Sequence, residues 1–288
     1  MTVRPDEDLR CSIIIATLNR RELLLATLAS IPWEHLKTVR GEVIVIDDGS
    51  TDGSAEAVRE QFPQAVLHAN TANEGLSQAH NRAGRMARGS LLINIDSDVE
   101  VSVAWLDAML AADDGRTIIA GRVMDFITGR EQGGPRRSTF LGKSLRTTPE
   151  RANVAIGCNL AIPKAVFEAL GGFDEDLPCY FEDRDICIRA RDAGYAVRYV
   201  PDASLRHKGS ETRVGDAVRQ QERNSTWAML KRYRGKPLHL LAFTLGNGLW
   251  LAIRLALWGA KGRFADCRRL LTGWWQAYAR FVAGRGAW

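Results

Sequence analysis

The sequence predicts an α/β fold: a mostly parallel central sheet flanked by helices, followed by a basic, tryptophan-rich helical extension. Three observations predict it. Short apolar runs at 11–16, 42–46, 65–68 and 91–95 alternate with helix-patterned segments. Strands covered on both faces read as such near-continuous runs, and their alternation with helices implies βαβ units. Several runs end in polar clusters: Thr17-Leu18-Asn19-Arg20, Asp47-Asp48-Gly49-Ser50-Thr51-Asp52-Gly53 and Asp96-Ser97-Asp98. Parallel topology gathers such ends at one sheet edge, where open α/β sheets bind ligands. Finally, the net charge of +5 over 288 residues is lopsided: residues 224–288 hold 11 Lys/Arg, one acid (Asp266) and six of the eight Trp.

Each element has a local reason. Residues 22–30 read as a helix with Leu at 23, 24, 25 and 28, and 54–62 as a second one. Residues 73–87 form a third, entered through Asn73-Glu74-Gly75. Residues 129–151 are Gly- and Arg-rich and are expected to form a mobile loop near a ligand. Regular structure returns at 154–162. A helix over 163–170 follows, with Pro163 at its start and Gly171-Gly172 at its end, as helix-end physics favours. Glu182-Asp183-Arg184-Asp185 opens a helix that runs to Ala193-Gly194, and 195–200 is a strand. His207 is placed in the polar loop after it. An acidic first turn is also what a helix dipole wants, so that cluster alone does not establish a site.

Hydrophobic content of 45% and charged content of 25% are those of an ordinary folded protein. The five Cys (11, 158, 179, 187 and 267) show no C-x-x-C spacing, which indicates neither a structural zinc site nor a disulfide frame. Their odd number and the polar residues 1–10 point to a reducing cytosol. Asp96 and Asp98 leave an apolar strand as two negative charges, which is costly unless something positive meets them. A divalent cation carrying a diphosphate fits, because hard oxygen ligands suit Mg²⁺ or Mn²⁺ and such ions keep positions for phosphates. Taken alone, D-x-D is equally a solvated strand-to-loop turn.

Six motifs in order change that balance: 12–20 (Ser-Ile-Ile-Ile-Ala-Thr-Leu-Asn-Arg), 45–52 (Val-Ile-Asp-Asp-Gly-Ser-Thr-Asp), 73–81 (Asn-Glu-Gly-Leu-Ser-Gln-Ala-His-Asn), Asp96-Ser97-Asp98, 171–175 (Gly-Gly-Phe-Asp-Glu) and 181–186 (Phe-Glu-Asp-Arg-Asp-Ile). Over about 10–225 the chain resembles family 2 inverting glycosyltransferases of the GT-A fold, and among them rhamnosyltransferase-like bacterial enzymes that add single sugars to surface polysaccharides. The resemblance implies a nucleotide-sugar half at about 10–125 and an acceptor half at about 126–225, within a GT-A domain over 1–225. It implies metal ligation by Asp98 and Asp96 with His207 as a third ligand, the cofactor being Mn²⁺ or Mg²⁺. It also implies that Asp48 accepts the imide N–H of a uracil or thymine ring, so that the donor is a UDP- or dTDP-sugar. Thr17, Asn19, Asn73, Gly75, Asn81 and Asp96 would shape the donor pocket. Asp183 would be the general base, with Glu182 and Asp185 as alternatives for that role or as contacts to acceptor hydroxyls; Trp105 would either face the acceptor or, more in keeping with its type, pack in the core. The sequence departs from the family's usual Pro-Thr-Tyr-Asn by Ala16-Thr17-Leu18-Asn19, which removes a base-stacking ring, and His80 replaces a common Arg.

The extension over 226–288 is expected to seek an anionic membrane surface rather than nucleic acid, because its basic residues come with Trp and long aliphatic runs. Packing on the main domain or on a second copy, as a homodimer, is the competing reading. Residues 237–260 are long enough to cross a bilayer. His239, Gly246-Asn247-Gly248 and Arg254 argue instead for helices lying peripherally on the cytoplasmic face, near a glycan or lipid-linked acceptor. Where processive synthases carry Gln-x-x-Arg-Trp, this chain reads Gln220-Gln221-Glu222-Arg223-Asn224, which favours transfer of one sugar. Two other readings stay open: a nucleotidyltransferase, although its Gly-rich phosphate loop is missing, and a catalytically silent membrane-bound scaffold that binds nucleotide-sugar.

Overall fold

Neighbouring residues of each central strand bury on opposite faces of one sheet. The computed structural model describes residues 9–209 and 216–284. Its elements up to residue 209 are β1 (Leu9–Thr17), α1 (Arg21–Ser30), α2 (Trp33–Thr38), β2 (Gly41–Asp47), α3 (Ser54–Gln61), β3 (Val66–Ala69), α4 (Leu76–Met86), β4 (Gly89–Asp96), β5 (Val99–Glu100), α5 (Val103–Ala112), β6 (Ile118–Asp125), β7 (Glu131–Gly133), β8 (Arg136–Ser138), β9 (Ser144–Arg146), β10 (Asn159–Pro163), α6 (Lys164–Ala169), α7 (Glu182–Asp192) and β11 (Val197–His207). Ile13, Ile15, Val43, Val45, Leu91 and Ile93 pack with Leu24, Leu28, Trp105 and Leu106 on one face. Ile14, Ile44, Ile46 and Leu92 pack with Ala79, Ala83, Val166 and Ile186 on the other. The two-residue period of a strand produces this division, and coverage on both faces produces the unbroken apolar runs. Each such Ile or Leu contributes roughly 1.5–3 kcal/mol of burial.

The sheet order is β3-β2-β1-β4-β10-β6-β11-β5, with β7 on β6; β8 and β9 form a separate two-stranded ribbon. The β1–β2, β1–β4, β2–β3 and β6–β11 pairs are parallel. β10 enters antiparallel between β4 and β6, so its amino end lies at the carboxyl end of β4. That inversion brings residues 157–159 to the edge where the acidic clusters emerge.

Two expectations are corrected. Residues 129–151 are not one irregular loop but contain β7, the β8–β9 ribbon and a 3₁₀ turn (Pro149–Arg151). Their Gly and Arg content hid strands of only three residues. His207 is not in a loop but ends β11, in register with Asp125 of β6. Pro201, Asp202 and a register shift between Val200 and Ser204 interrupt the apolar pattern while the ladder continues.

The described residues form two compact units. The first holds those up to 209 except 138–145 and 179–181. The second holds these two short segments together with α8 (Ala217–Tyr233), α9 (Pro237–Gly259) and α10 (Phe264–Val282). Within the second unit the helices pack around a polar centre. The buried Glu222 carboxylate receives Lys143 Nζ at 3.2 Å, Arg254 Nη1 at 3.1 Å and the Thr226 hydroxyl at 3.3 Å. Gly273 lets α10 approach α8: a Cβ there would lie 2.3 Å from the Arg219 carbonyl oxygen. Asn224 Nδ2 donates to the carbonyls of Cys179 and Tyr180, in a turn where Tyr180 and Phe181 have φ of 66° and 79°.

Candidate active site

The carboxyl ends of β1, β2, β4 and β11 build the site, all within the first unit. At β1, Thr17 is buried and its hydroxyl has no hydrogen-bond partner among the described residues, which marks an open polar position. Asn19, at φ 51°, ties the first loop to the second. Its Oδ1 accepts from Thr51 N at 2.8 Å, and its own N–H donates to Ser50 Oγ at 2.9 Å.

Just beyond β2, Asp48 is buried and organises the entry to α4. Its Oδ1 accepts from Asn70 Nδ2 (2.8 Å) and Glu74 N (2.9 Å), and its Oδ2 from Gly75 N (2.9 Å). This is why α4 begins at Leu76 and not at Asn73: 73–75 are an extended entry clasped by Asp48. Gly75 has φ 98°, and a Cβ there would press on Pro178 at 3.0 Å. One acceptor position on Oδ2 remains for an outside donor. Asn73 is exposed beside it.

β4 delivers the acidic pair. Asp98 is 1% exposed. Its Oδ1 lies 3.2 Å from His207 Nε2, and its Oδ2 lies 3.4 Å from Arg20 Nη1. Asp96 is half-buried, with Oδ2 3.8 Å from the same His207 nitrogen. Its recessed position, then the Asp98 charge, pushes its pKa up to about 6, against the pull of His207 and Arg20. Burial disfavours a charged His207, but the hydrogen bond to Asp98 and the charges of Asp98 and Asp96 outweigh it and raise its pKa.

The tautomer of His207 is set from behind. Asp125 accepts from Thr128 N and Oγ1, and then from Gln132 Nε2, which brings its pKa down to about 2. An ionised carboxylate only accepts, so the Gln132 amide nitrogen faces Asp125 and its Oε1 faces His207 Nδ1 at 3.0 Å. Nδ1 therefore carries a proton, and Nε2 is the nitrogen that faces Asp98: it donates to the carboxylate while the ring is charged and offers a lone pair to a cation once that proton is lost. A hydrogen-bond acceptor behind the ring commonly orients a metal-binding imidazole in this way. Two carboxylates and an oriented imidazole are a donor set that suits Mn²⁺ or Mg²⁺. Cys158 joins them: one donor atom each from Asp96, Cys158 and His207 lie within 4.8 Å of one another. Burial, then the charges of Asp96, Asp98 and Asp183, raises the Cys158 pKa well above that of a free thiol.

Glu182 and Asp183 occupy the first turn of α7. Asp183 Oδ2 accepts from Gly157 N at 3.0 Å, and Oδ1 from Arg184 N at 2.7 Å. Glu182 is 6% exposed, and its Oε2 has no hydrogen-bond partner among the described residues. Burial, then the Asp183 charge, pushes it up to about 8.

Three residues expected at the ligand are occupied elsewhere. Trp105 is fully buried, and its indole N–H donates to Asn159 Oδ1 at 2.9 Å, so it offers nothing to an acceptor. Asp185 is buried against Arg189 (2.6 Å), whose other nitrogens hold the Leu170 and Gly172 carbonyls. Asn81 bridges α4 to the segment before α7. It accepts from Phe173 N (2.8 Å) and donates to Phe173 O and Glu175 Oε1 (both 2.9 Å). His80 is buried beside Phe173, and burial lowers its pKa to about 4, in keeping with a structural role. Arg20, Gln132 and Cys158 lie beside these groups, and sequence reading assigned none of them a role. An open cleft of about 1170 Å³ lies at the opposite strand ends beside Leu9, Gly89 and Pro163 and contains none of these carboxylates.

Known proteins are similar to this chain in sequence and fold. The family model described as Glycosyl transferase family 2 covers residues 12–171, and Glycosyl transferase family group 2 covers 137–282. Glycosyltransferase AglE of Haloferax volcanii is 27% identical over 205 residues, 66% of this chain and 64% of that protein. N-acetylglucosaminyl-diphospho-decaprenol L-rhamnosyltransferase of Mycobacterium tuberculosis is 27% identical over 210 residues, 59% of this chain and 67% of that protein. The match to the uncharacterized protein y4gI of Sinorhizobium fredii, 29% identical over 70% of this chain, spans 25% of that protein, so the chain covers between a quarter and two thirds of these relatives. Among solved structures, a mannosyltransferase from Pyrobaculum calidifontis, in complex with GDP-Man and Mn²⁺, superposes with a TM-score of 0.59 at 19% identity. It covers 98% of this chain and 89% of that one, and shares the GT-A fold. With a family model matched over more than half its length, the chain belongs to glycosyl transferase family 2.

Proposed function

We propose that the chain is a metal-dependent inverting glycosyltransferase that moves one sugar from a UDP- or dTDP-sugar to a hydroxyl of a glycan or lipid-linked acceptor. The convergence of Asp96, Asp98, His207 Nε2 and Asp183 on one sheet edge carries this reading. Residues 10–125 serve the donor and 126–225 the acceptor.

Asp48 Oδ2 accepts the imide N–H of uracil or thymine, a donor that cytosine lacks at that position. The unpartnered Thr17 hydroxyl faces the nucleotide, while Asn19 and Gly75 fix the loops around it. Asp98, Asp96 and His207 hold the cation. Mn²⁺ or Mg²⁺ bound there supplies Lewis-acid neutralisation of the charge that builds on the departing diphosphate. Asp183 takes the proton of the acceptor hydroxyl as that oxygen attacks the anomeric carbon. The new C–O bond forms on the face opposite the breaking bond to phosphate, and the nucleoside diphosphate leaves with inversion. Glu182 beside it, raised to about 8, holds a proton at neutral pH and donates toward acceptor oxygens.

The second unit is read as a peripheral anchor. α9 is long and apolar enough to cross a membrane, its most apolar 18 residues having a mean hydropathy of 1.6. Leu238, Leu241, Leu245, Leu249, Ile253 and Leu257 form an exposed stripe along it, and Phe264, Leu271, Trp275 and Val282 extend along α10. Arg254 turns away from that stripe to pair with Glu222. One apolar face backed by a charged interior favours lying in the cytoplasmic leaflet interface over spanning. The acceptor named for the mycobacterial relative, a decaprenol-linked sugar diphosphate, supports a lipid-linked acceptor.

A panel of UDP-, dTDP- and GDP-sugars, read by thermal shift with Mn²⁺ present, tests the donor. A UDP- or dTDP-sugar is expected to stabilise most, and a GDP-sugar prevailing overturns the role of Asp48. Mn²⁺-dependent donor hydrolysis, slowed by Asp98→Ala and Asp183→Asn, separates turnover from a silent scaffold.

A further inference from the structure

The sulfur of Cys158 sits where a hard-cation site has no need of one. β10 runs antiparallel to β4 with Asn159 opposite Ile95, so Cys158, just before β10, faces Asp96 at the end of β4. One donor atom each from Asp96, Cys158 and His207 lie within 4.8 Å of one another, and Asp98 Oδ1 is 3.2 Å from the same imidazole. One oxygen, one nitrogen and one sulfur can converge there, with the Asp98 carboxylate beside them against the same imidazole.

Such a set has two ways to hold a cation. Mn²⁺ or Mg²⁺ prefers oxygen and imidazole and keeps positions for phosphate oxygens, leaving the thiol protonated. Zn²⁺ or Cd²⁺ is drawn to thiolate and is satisfied by four protein ligands in a tetrahedral array. We propose that Asp96, Asp98, Cys158 and His207 form a capture site for thiophilic divalent cations, which closes the cation pocket against diphosphate. The Cys158 S–H bond breaks as the S–metal bond forms, and the proton passes to solvent. No oxidant or reductant is needed. The proposal rests on the cation reading of Asp98 and His207 given above, and it adds a state in which the same pocket is blocked.

Cys158 is buried, 4% exposed, in the same core as Cys11, yet its sulfur also joins the donor atoms of Asp96 and His207 within 4.8 Å. Cys11 and Cys187 belong to no such donor group among the described residues, and Cys179 and Cys267 are partly exposed.

The test uses metal-free full-length protein in a Cys179→Ser, Cys267→Ser background. Cd²⁺ is titrated in while the thiolate-to-cadmium charge-transfer absorption is followed. Mn²⁺ binding is measured separately by loss of the free-ion electron paramagnetic resonance signal. One equivalent of Cd²⁺ is expected to develop the band. Cys158→Ser is expected to abolish it and weaken Cd²⁺ binding by about tenfold or more, while Mn²⁺ binding shifts by less than about threefold. Cys158→Ala, expected to do the same, guards against a hydroxyl substituting for the thiol. A band that survives in both variants, or no band in a protein that binds Mn²⁺, overturns the capture site. A Cys158-dependent band in a protein that fails to bind Mn²⁺ supports capture and overturns the Mn²⁺ reading instead.

Discussion

Gln132 Oε1 lies 3.0 Å from His207 Nδ1, and that contact turns Nε2 toward Asp98 and Asp96. Asp125 holds the other end of the Gln132 amide, so the orientation is imposed through two side chains. Gln132→Leu removes the acceptor and lets the ring tautomerise. Mn²⁺ affinity is expected to fall by about 10- to 100-fold with little change in thermal stability. Unchanged affinity by calorimetry would leave His207 either outside the cation shell or oriented by other groups.

The proposed proton step rests on Asp183. Asp183→Asn keeps the acceptor for Gly157 N through its amide oxygen but cannot take a proton. Turnover is expected to drop by about 10²- to 10⁴-fold while donor affinity stays near that of the wild type. Loss of donor binding to the same extent would assign Asp183 to the nucleotide-sugar instead.

Glu182 links stability to pH. Its pKa is raised from 4.5 to about 8, so the folded state binds more protons than the unfolded state between these values. Stability from this group is complete below about pH 4.5 and is lost as pH rises through about 8. Glu182→Gln mimics the protonated acid at every pH. Differential scanning calorimetry should show its midpoint pulling ahead of the wild type as pH climbs through that window. A gap that does not change with pH would mean that Glu182 is ionised throughout.

Much of the scaffold was legible in the sequence because it is local. Unbroken apolar runs announced β1, β2 and β4, and the polar clusters after them were placed at the carboxyl edge by parallel topology alone. Asp48, Asp96, Asp98 and Asp183 could be named from motifs for the same reason. Cys158 and Gln132 could not, because their places depend on pairings distant in sequence; Arg20 stands in the first motif, but its pairing with Asp98 is likewise distant. Only the insertion of antiparallel β10 beside β4 brings Cys158 to Asp96, and only β7 folding back on β6 brings Gln132 to His207. Trp105, Asp185 and Asn81 show the opposite case: each sits in or near a motif, and the hydrogen bonds described for it tie the fold together.

The apolar stripe of α9 makes a prediction about surfaces. Leu245 and Leu249 are 66% and 64% exposed on the same helix face. Leu245→Glu with Leu249→Glu is expected to leave the circular dichroism spectrum intact and to reduce co-sedimentation with vesicles containing anionic lipid by about tenfold or more, as two apolar side chains become charged. Equal co-sedimentation of the double variant would remove the membrane role from this face.

The central claim is that Asp98 and His207 hold a cation that in turn holds a nucleotide diphosphate. Calorimetric titration of UDP into the full chain, with and without Mn²⁺, tests it most directly in the wild type and in Asp98→Ala. The account predicts Mn²⁺-dependent binding in the wild type and loss of that dependence in Asp98→Ala. UDP binding of equal strength without Mn²⁺, or an Asp98→Ala variant that keeps the full Mn²⁺ effect, would contradict it.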